Sequence, residues 1–165
     1  MSDWIQWGIA AIIGILSFLA GRYWNLLDRR LAKDKNTYQE LLELLPASSM
    51  QYLKENDFGG AISRREFSIW SGFCERCKHP DFVFLDRKLE NAKTDLFNKM
   101  DLFTERIAIE SFSLPTGVEY NQITPADDRK DPKQFEIVRK ELNDLSIIVY
   151  SAYVALVNRA IKTLL

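Results

Sequence analysis

From Trp4 to Gly21 the chain carries no charged side chain. This run constrains the fold more than any other feature. As a helix at about 1.5 Å per residue it spans about 27 Å, just enough to cross a bilayer. Trp4 and Trp7 mark one end and Tyr23 and Trp24 the other, where amphipathic rings favour the headgroup region. A soluble core helix rarely lacks polar residues on every face. A cleaved signal peptide needs a basic start, whereas the leading residues include Asp3 and no Lys or Arg, and Phe18 is too large for the −3 position of a cut after Ala20. The expectation is an uncleaved transmembrane helix within residues 1–24.

Charge asymmetry orients it. Arg22, Arg29, Arg30, Lys33 and Lys35 follow the run closely, while the preceding residues offer no basic side chain. The positive-inside rule then places the N-terminus outside and the C-terminal part in the cytoplasm. The same five residues form a basic collar for membrane lipid, each contributing on the order of 1 kcal/mol near an anionic surface. Inside the run, Ala10, Gly14, Ser17 and Gly21 recur every three or four residues as one stripe of small side chains. Small residues let helix backbones approach closely in lipid, so the stripe is a candidate helix–helix interface with a second copy or another membrane protein.

Removing the run changes what the overall composition means. The 165 residues are 47% hydrophobic, with 22 Lys+Arg against 23 Asp+Glu, for a net charge of −1. That balance excludes collagen-like, disulfide-rich and strongly disordered chains, and it lacks the basic surplus that a dedicated nucleic-acid binder needs.

The remainder reads as helical. Residues 25–46 contain Leu27, Leu31, Tyr38, Leu41, Leu42 and Leu45 at roughly helical spacing, with a break expected near Asn36 and a stop at Pro46. This stretch is a juxtamembrane helix or linker, followed by a helical domain over 47–165. A short helix from about Ser49 to Glu55 ends at the turn-prone Asn56-Asp57-Phe58-Gly59-Gly60. Ser63-Arg64-Arg65-Glu66 has the form of a capping box before Phe67, Trp70, Phe73, Cys74 and Cys77. From Asp81 to about Phe112, Leu85, Leu89, Ala92, Leu96, Met100, Phe103 and Ile107 form an apolar face, opposite a polar one that includes Asp86, Lys88, Lys93 and Lys99. A loop follows over about 113–132. The last helix runs from about Lys133 to the end.

Within it, Leu145 to Val157 is apolar nearly all round but reaches only about 20 Å, so a central core helix is favoured over a second span. The expected fold class is all-α: an N-terminal transmembrane helix, then a cytoplasmic helical bundle built on a long antiparallel helix pair.

Chemistry-bearing patterns are sparse. Cys74 and Cys77 form a C-x-x-C with His79 nearby, three ligands at most where zinc wants four, so they are weak metal candidates. A pair near the C-terminal end of a helix also lacks the setting of a redox motif, and reduced core thiols are the simpler reading. Asp57-Phe58-Gly59 matches a kinase tripeptide without the remaining kinase motifs, and a turn anchored by a buried Phe accounts for it. Asp127, Asp128 and Asp131 are interleaved with Arg129 and Lys130 and read as solvated loop charge. No catalytic residue, cofactor or small-molecule substrate is expected.

Tyr52-Leu53 with Asp57-Phe58-Gly59, followed by Phe84-Leu85-Asp86-Arg87-Lys88-Leu89-Glu90, resembles a pattern in small uncharacterised bacterial proteins that carry one N-terminal membrane helix. The resemblance implies a bacterial inner-membrane location and brings no site residues. The sequence thus points to a single-pass, membrane-anchored helical interaction or scaffold protein, with an oligomerising membrane-active effector of a bacterial toxin or defence module as the alternative.

Overall fold

Two long antiparallel helices set the frame on which everything else is placed. The computed structural model describes residues 22, 24, 27–113, 119–123 and 133–164. In chain order the elements are α1 (described over 27–44), α2 (Ala47–Glu55), β1 (Ala61–Ser63), α3 (Arg64–Cys77), α4 (Arg87–Glu110), β2 (Ser111–Ser113), β3 (Tyr120–Ile123) and α5 (Lys133–Leu164).

The antiparallel pairing of α4 and α5 is fixed by contacts at both ends. Arg106 donates to Glu141 at 2.8 Å, and Arg159 reaches the Lys88 carbonyl at 3.4 Å. The separation along each helix is the same, so the two pack in register. α4 buries Leu89, Leu96, Met100, Phe103 and Ile107; α5 buries Val138, Leu142, Val149, Leu156 and Ala160. These positions recur every three, four or seven residues, the spacing that gives a helix one apolar face.

The small helices close this core from the side. Ser63 caps α3 by accepting from the Glu66 backbone N–H at 3.4 Å, as the capping-box spacing leads one to expect. α3 then buries Trp70, Phe73 and Cys74. Trp70 packs against Tyr52, Phe58 and Phe103 with centroids 6.0, 6.2 and 5.6 Å apart, while Phe58 meets Phe103 edge-on at 5.1 Å. The Asp57-Phe58-Gly59 turn is therefore held by a fully buried aromatic ring.

Four expectations are corrected. The domain is mostly helical but not all-α: β1, β3 and β2 form a three-stranded antiparallel sheet with β3 in the centre. Its register places Ile62 opposite Asn121 and Phe112 opposite Gln122. Strands of three or four residues are too short to show an alternating pattern, and β2 follows α4 with no intervening Gly or Pro. Second, α1 does not break at Asn36; helix runs through it to residue 44, and Thr37 returns its hydroxyl to the Lys33 carbonyl at 3.1 Å. Third, α4 begins at Arg87 rather than Asp81, because Asp86 accepts from the Lys88 and Leu89 backbone N–H groups and acts as the N-cap. Leu85, counted above on the apolar face, lies in the preceding loop and is half exposed. Fourth, Lys93, counted on the polar face, is buried.

Among the described residues, the helix long and apolar enough to cross a membrane is α5, at the C-terminal end. One face of it is in the core over its whole length, and Ile137, Ile147, Ile148 and Ile161 are exposed on the other. The run 4–21 and its stripe Ala10, Gly14, Ser17 and Gly21 lie outside the described residues, as do Asp127, Asp128 and Asp131.

Candidate functional site

The densest polar chemistry lies where α1 meets the connection between α3 and α4. Asp34 sits on α1 in helical phase with Leu41 and Leu45, both fully buried, and is itself 4% exposed. Its carboxylate accepts from the Leu85 backbone N–H at 2.5 Å and the Asp86 backbone N–H at 2.9 Å. Those N–H groups lie just ahead of α4, where no helical carbonyl is available to them. The preceding residue, Lys33, donates to the Asp81 carbonyl at 2.8 Å, and one turn later Thr37 lies 3.4 Å from the Val83 carbonyl.

The far side of the same connection is held as firmly. Arg76 on α3 donates to Glu40 of α1 at 2.6 Å and grips Asp81 through two nitrogens at 2.8 and 2.9 Å. That grip lowers the Asp81 carboxyl to about 2. Phe82 is buried between two cations, with the Arg76 guanidinium 4.9 Å and the Lys93 ammonium 5.0 Å from its ring centroid. Lys93 also donates to the Phe82 carbonyl and pairs with Glu90 at 3.0 Å. Glu90 in turn accepts from the Phe84 backbone N–H at 2.8 Å. A buried ammonium with a carbonyl, a carboxylate and a ring face around it has its charge compensated. The connection is thus a clasp that binds α1 to α3 and α4.

A second polar knot stands at the opposite end of the bundle. Arg139 holds Asp57 through two nitrogens at 3.0 and 2.5 Å, while Asn143 donates to Asp57 at 3.1 Å and accepts from the Phe58 backbone N–H at 3.0 Å. These donors keep the Asp57 carboxyl well below the usual carboxylate range. A Cβ at Gly59 would come within 2.5 to 2.9 Å of the Arg139 side chain, so any larger residue there must displace the arginine from its present position. Both partners are substantially exposed, which makes this a structural brace on the turn.

The cysteine pair falls at the end of α3. Cys74 is buried and Cys77 half-buried, both free; burial pushes their thiols up to about 11 and about 12. Such thiols are poor nucleophiles and poor metal ligands at neutral pH. His79 lies beyond the helix end and is exposed. Among the described residues no group of three His, Cys, Asp or Glu side chains comes together as a metal site. Of the basic collar, Arg22, Arg29, Arg30 and Lys35 are exposed on the α1 side, and Lys33 belongs to the clasp.

Asp34, Arg76 and Lys93 were not singled out by the sequence. Asp34 had a legible signal, a carboxylate in phase with the buried leucines of α1. Lys93 had a weaker one, in phase with Leu89, Leu96 and Met100. No family model, curated protein or solved structure matches the chain.

Proposed function

We propose that the chain is a single-pass, membrane-anchored helical interaction or scaffold protein of the bacterial inner membrane, non-catalytic, with its helical domain in the cytoplasm. The observation that carries this reading is the clasp. α1 directly follows the uncharged run 4–21 and its basic flank, and α1 is bonded to the bundle through Asp34, Lys33 and Glu40. An anchor joined in this way fixes the attitude of the domain at the bilayer, whereas a domain on a flexible tether would not need a buried carboxylate in the joining helix.

A scaffold also needs a face for its partner. Leu102 and Ile109 of α4 and Phe112 of β2 are exposed toward the end of α4 remote from the clasp, and Ile137 is exposed near the start of α5. Partly or well exposed apolar side chains at that end suit a protein partner or a second copy. The alternative of a membrane-active effector is favoured by one observation, the length and composition of α5. Entry into lipid would require α5 to give up the buried face formed by Val138, Leu142, Val149 and Leu156. Loss of membrane potential on expression would support that alternative over the scaffold.

Topology is tested with a cysteine placed at Glu136, which is exposed. In intact bacterial cells a membrane-impermeant thiol reagent leaves it unlabelled, and permeabilisation makes it reactive. Labelling in intact cells would overturn the orientation.

A further inference from the structure

The basic collar of α1 does not stand alone. The clasp and the α4–α5 pairing bring two more basic segments to the same end of the bundle. Arg87 and Lys88 open α4, and Arg159 and Lys162 close α5; all four are exposed. Arg159 reaches the Lys88 carbonyl at 3.4 Å, which places the two segments side by side. A groove of about 250 Å³ joins them to α1; Leu27, Leu31, Leu85 and Arg30 line it, together with the carboxylates of Asp34 and Asp86.

Of the acidic groups at this end, Asp34 is buried and, like Asp86, accepts from backbone N–H groups, while Asp81 and Asp28 are exposed, Asp81 offsetting the charge of Arg76 and Asp28 one charge of the collar. The remaining outward charge is a set of cations from three elements around half-exposed leucines and Ile161.

We infer that this composite end is a docking face for the anionic surface of the membrane that carries the chain. The inference rests on the anchored reading proposed above and adds a second, non-anchoring contact to it. Three observations select lipid as the occupant. The charge is complementary to anionic headgroups and is drawn from segments far apart in sequence. Apolar side chains among the cations match the layered chemistry of an interface, where leucines sink to the acyl boundary and Arg and Lys stay at headgroup level. Leu27 also lies only six residues beyond Gly21 in the sequence, so the α1 wall of the groove follows closely on the proposed anchor.

The test uses the full chain reconstituted in vesicles of phosphatidylcholine alone and of phosphatidylcholine with phosphatidylglycerol. An environment-sensitive fluorophore is placed on Thr163→Cys and, as a control, on Glu136→Cys, about 40 Å away along α5. Cys74 and Cys77 do not compete, since their thiols are pushed up to about 11 and about 12. Headgroup-attached quenchers are expected to dim the 163 probe in anionic vesicles, less so in neutral ones, and to leave the 136 probe unchanged. Arg87→Glu with Lys88→Glu removes two basic contacts, each of which multiplies surface association roughly five-fold, so the docked population falls by roughly 25-fold or more.

Those substitutions sit in the first turn of α4, where acidic side chains favour the helix, so the fold is retained. Equal quenching at 163 in neutral and anionic vesicles, or no effect of the double substitution, overturns the inference. So does quenching that appears in native membranes but not in protein-free anionic vesicles, which would assign the face to a protein. Flotation separates the two readings: a chain that floats with an unquenched 163 probe keeps the anchor and loses the docking face, and a chain that does not float loses both.

Discussion

Replacing Asp34 with Ala removes the acceptor for two backbone N–H groups, those of Leu85 at 2.5 Å and Asp86 at 2.9 Å, at a residue that is 4% exposed. Hydrogen bonds to a charged group contribute about 1.5–3 kcal/mol each, so the gross loss is about 3–6 kcal/mol. Water entering from the adjoining groove restores part of it, leaving a destabilisation of about 2–4 kcal/mol. Urea unfolding of the full chain in detergent, read at tryptophan, gives the change in midpoint. Hydrogen exchange gives its location: the Leu85 and Asp86 amides lose protection first, while those of Leu142 and Val149 in the centre of α5 change only as global stability does. Asp34→Asn keeps one oxygen and falls between the two. The contrast is Asp57→Ala, which breaks a bidentate ion pair of comparable distances but between exposed partners, and costs less than about 1 kcal/mol. A change of less than about 0.5 kcal/mol for Asp34→Ala, with the two amides still protected, would refute the clasp.

Other outcomes follow from the same geometry. Glu90→Ala strands the buried Lys93 ammonium and frees the Phe84 backbone N–H, for a loss of about 2–4 kcal/mol by urea unfolding, whereas Lys93→Met, which removes the charge itself, costs less. The Asp57 carboxyl is held below its ordinary value, so its contribution is present above about pH 4 and is lost as pH falls from there toward the folded value. Accordingly Asp57→Asn weakens the acid dependence of stability between pH 5 and pH 2, a slope that unfolding curves measure. Native Cys74 and Cys77 react with a thiol reagent at neutral pH at least about 100-fold more slowly than a free cysteine, and denaturant restores the rate, because burial disfavours both thiolates.

What the sequence made legible was whatever is encoded locally. The Ser63–Glu66 cap and the end of α1 before Pro46 each depend on residues within a few positions of one another, and the extent of α5 follows from a continuous run of helical spacing. The clasp was not legible because its bonds link Asp34 to Leu85 and Glu40 to Arg76, partners whose proximity exists only once α1 has docked. The start of α4 was misplaced because Leu85 keeps the helical spacing by coincidence, although Asp86 ahead of Arg87 is a good N-cap residue and marks the true boundary. The sheet escaped notice because its strands are short and because β1 pairs with β3, a segment far from it in the chain. For the candidate site, the collar on α1 was readable as charge, but its union with Arg87, Lys88, Arg159 and Lys162 is a product of tertiary packing.

Alkaline carbonate extraction of bacterial membranes that contain the full chain tests the central claim, that the run 4–21 holds the helical domain at the bilayer as an integral anchor. The account predicts that the chain stays in the membrane pellet at high pH and is released only by detergent. Release into the carbonate supernatant, as for a protein held by charge alone, would contradict it.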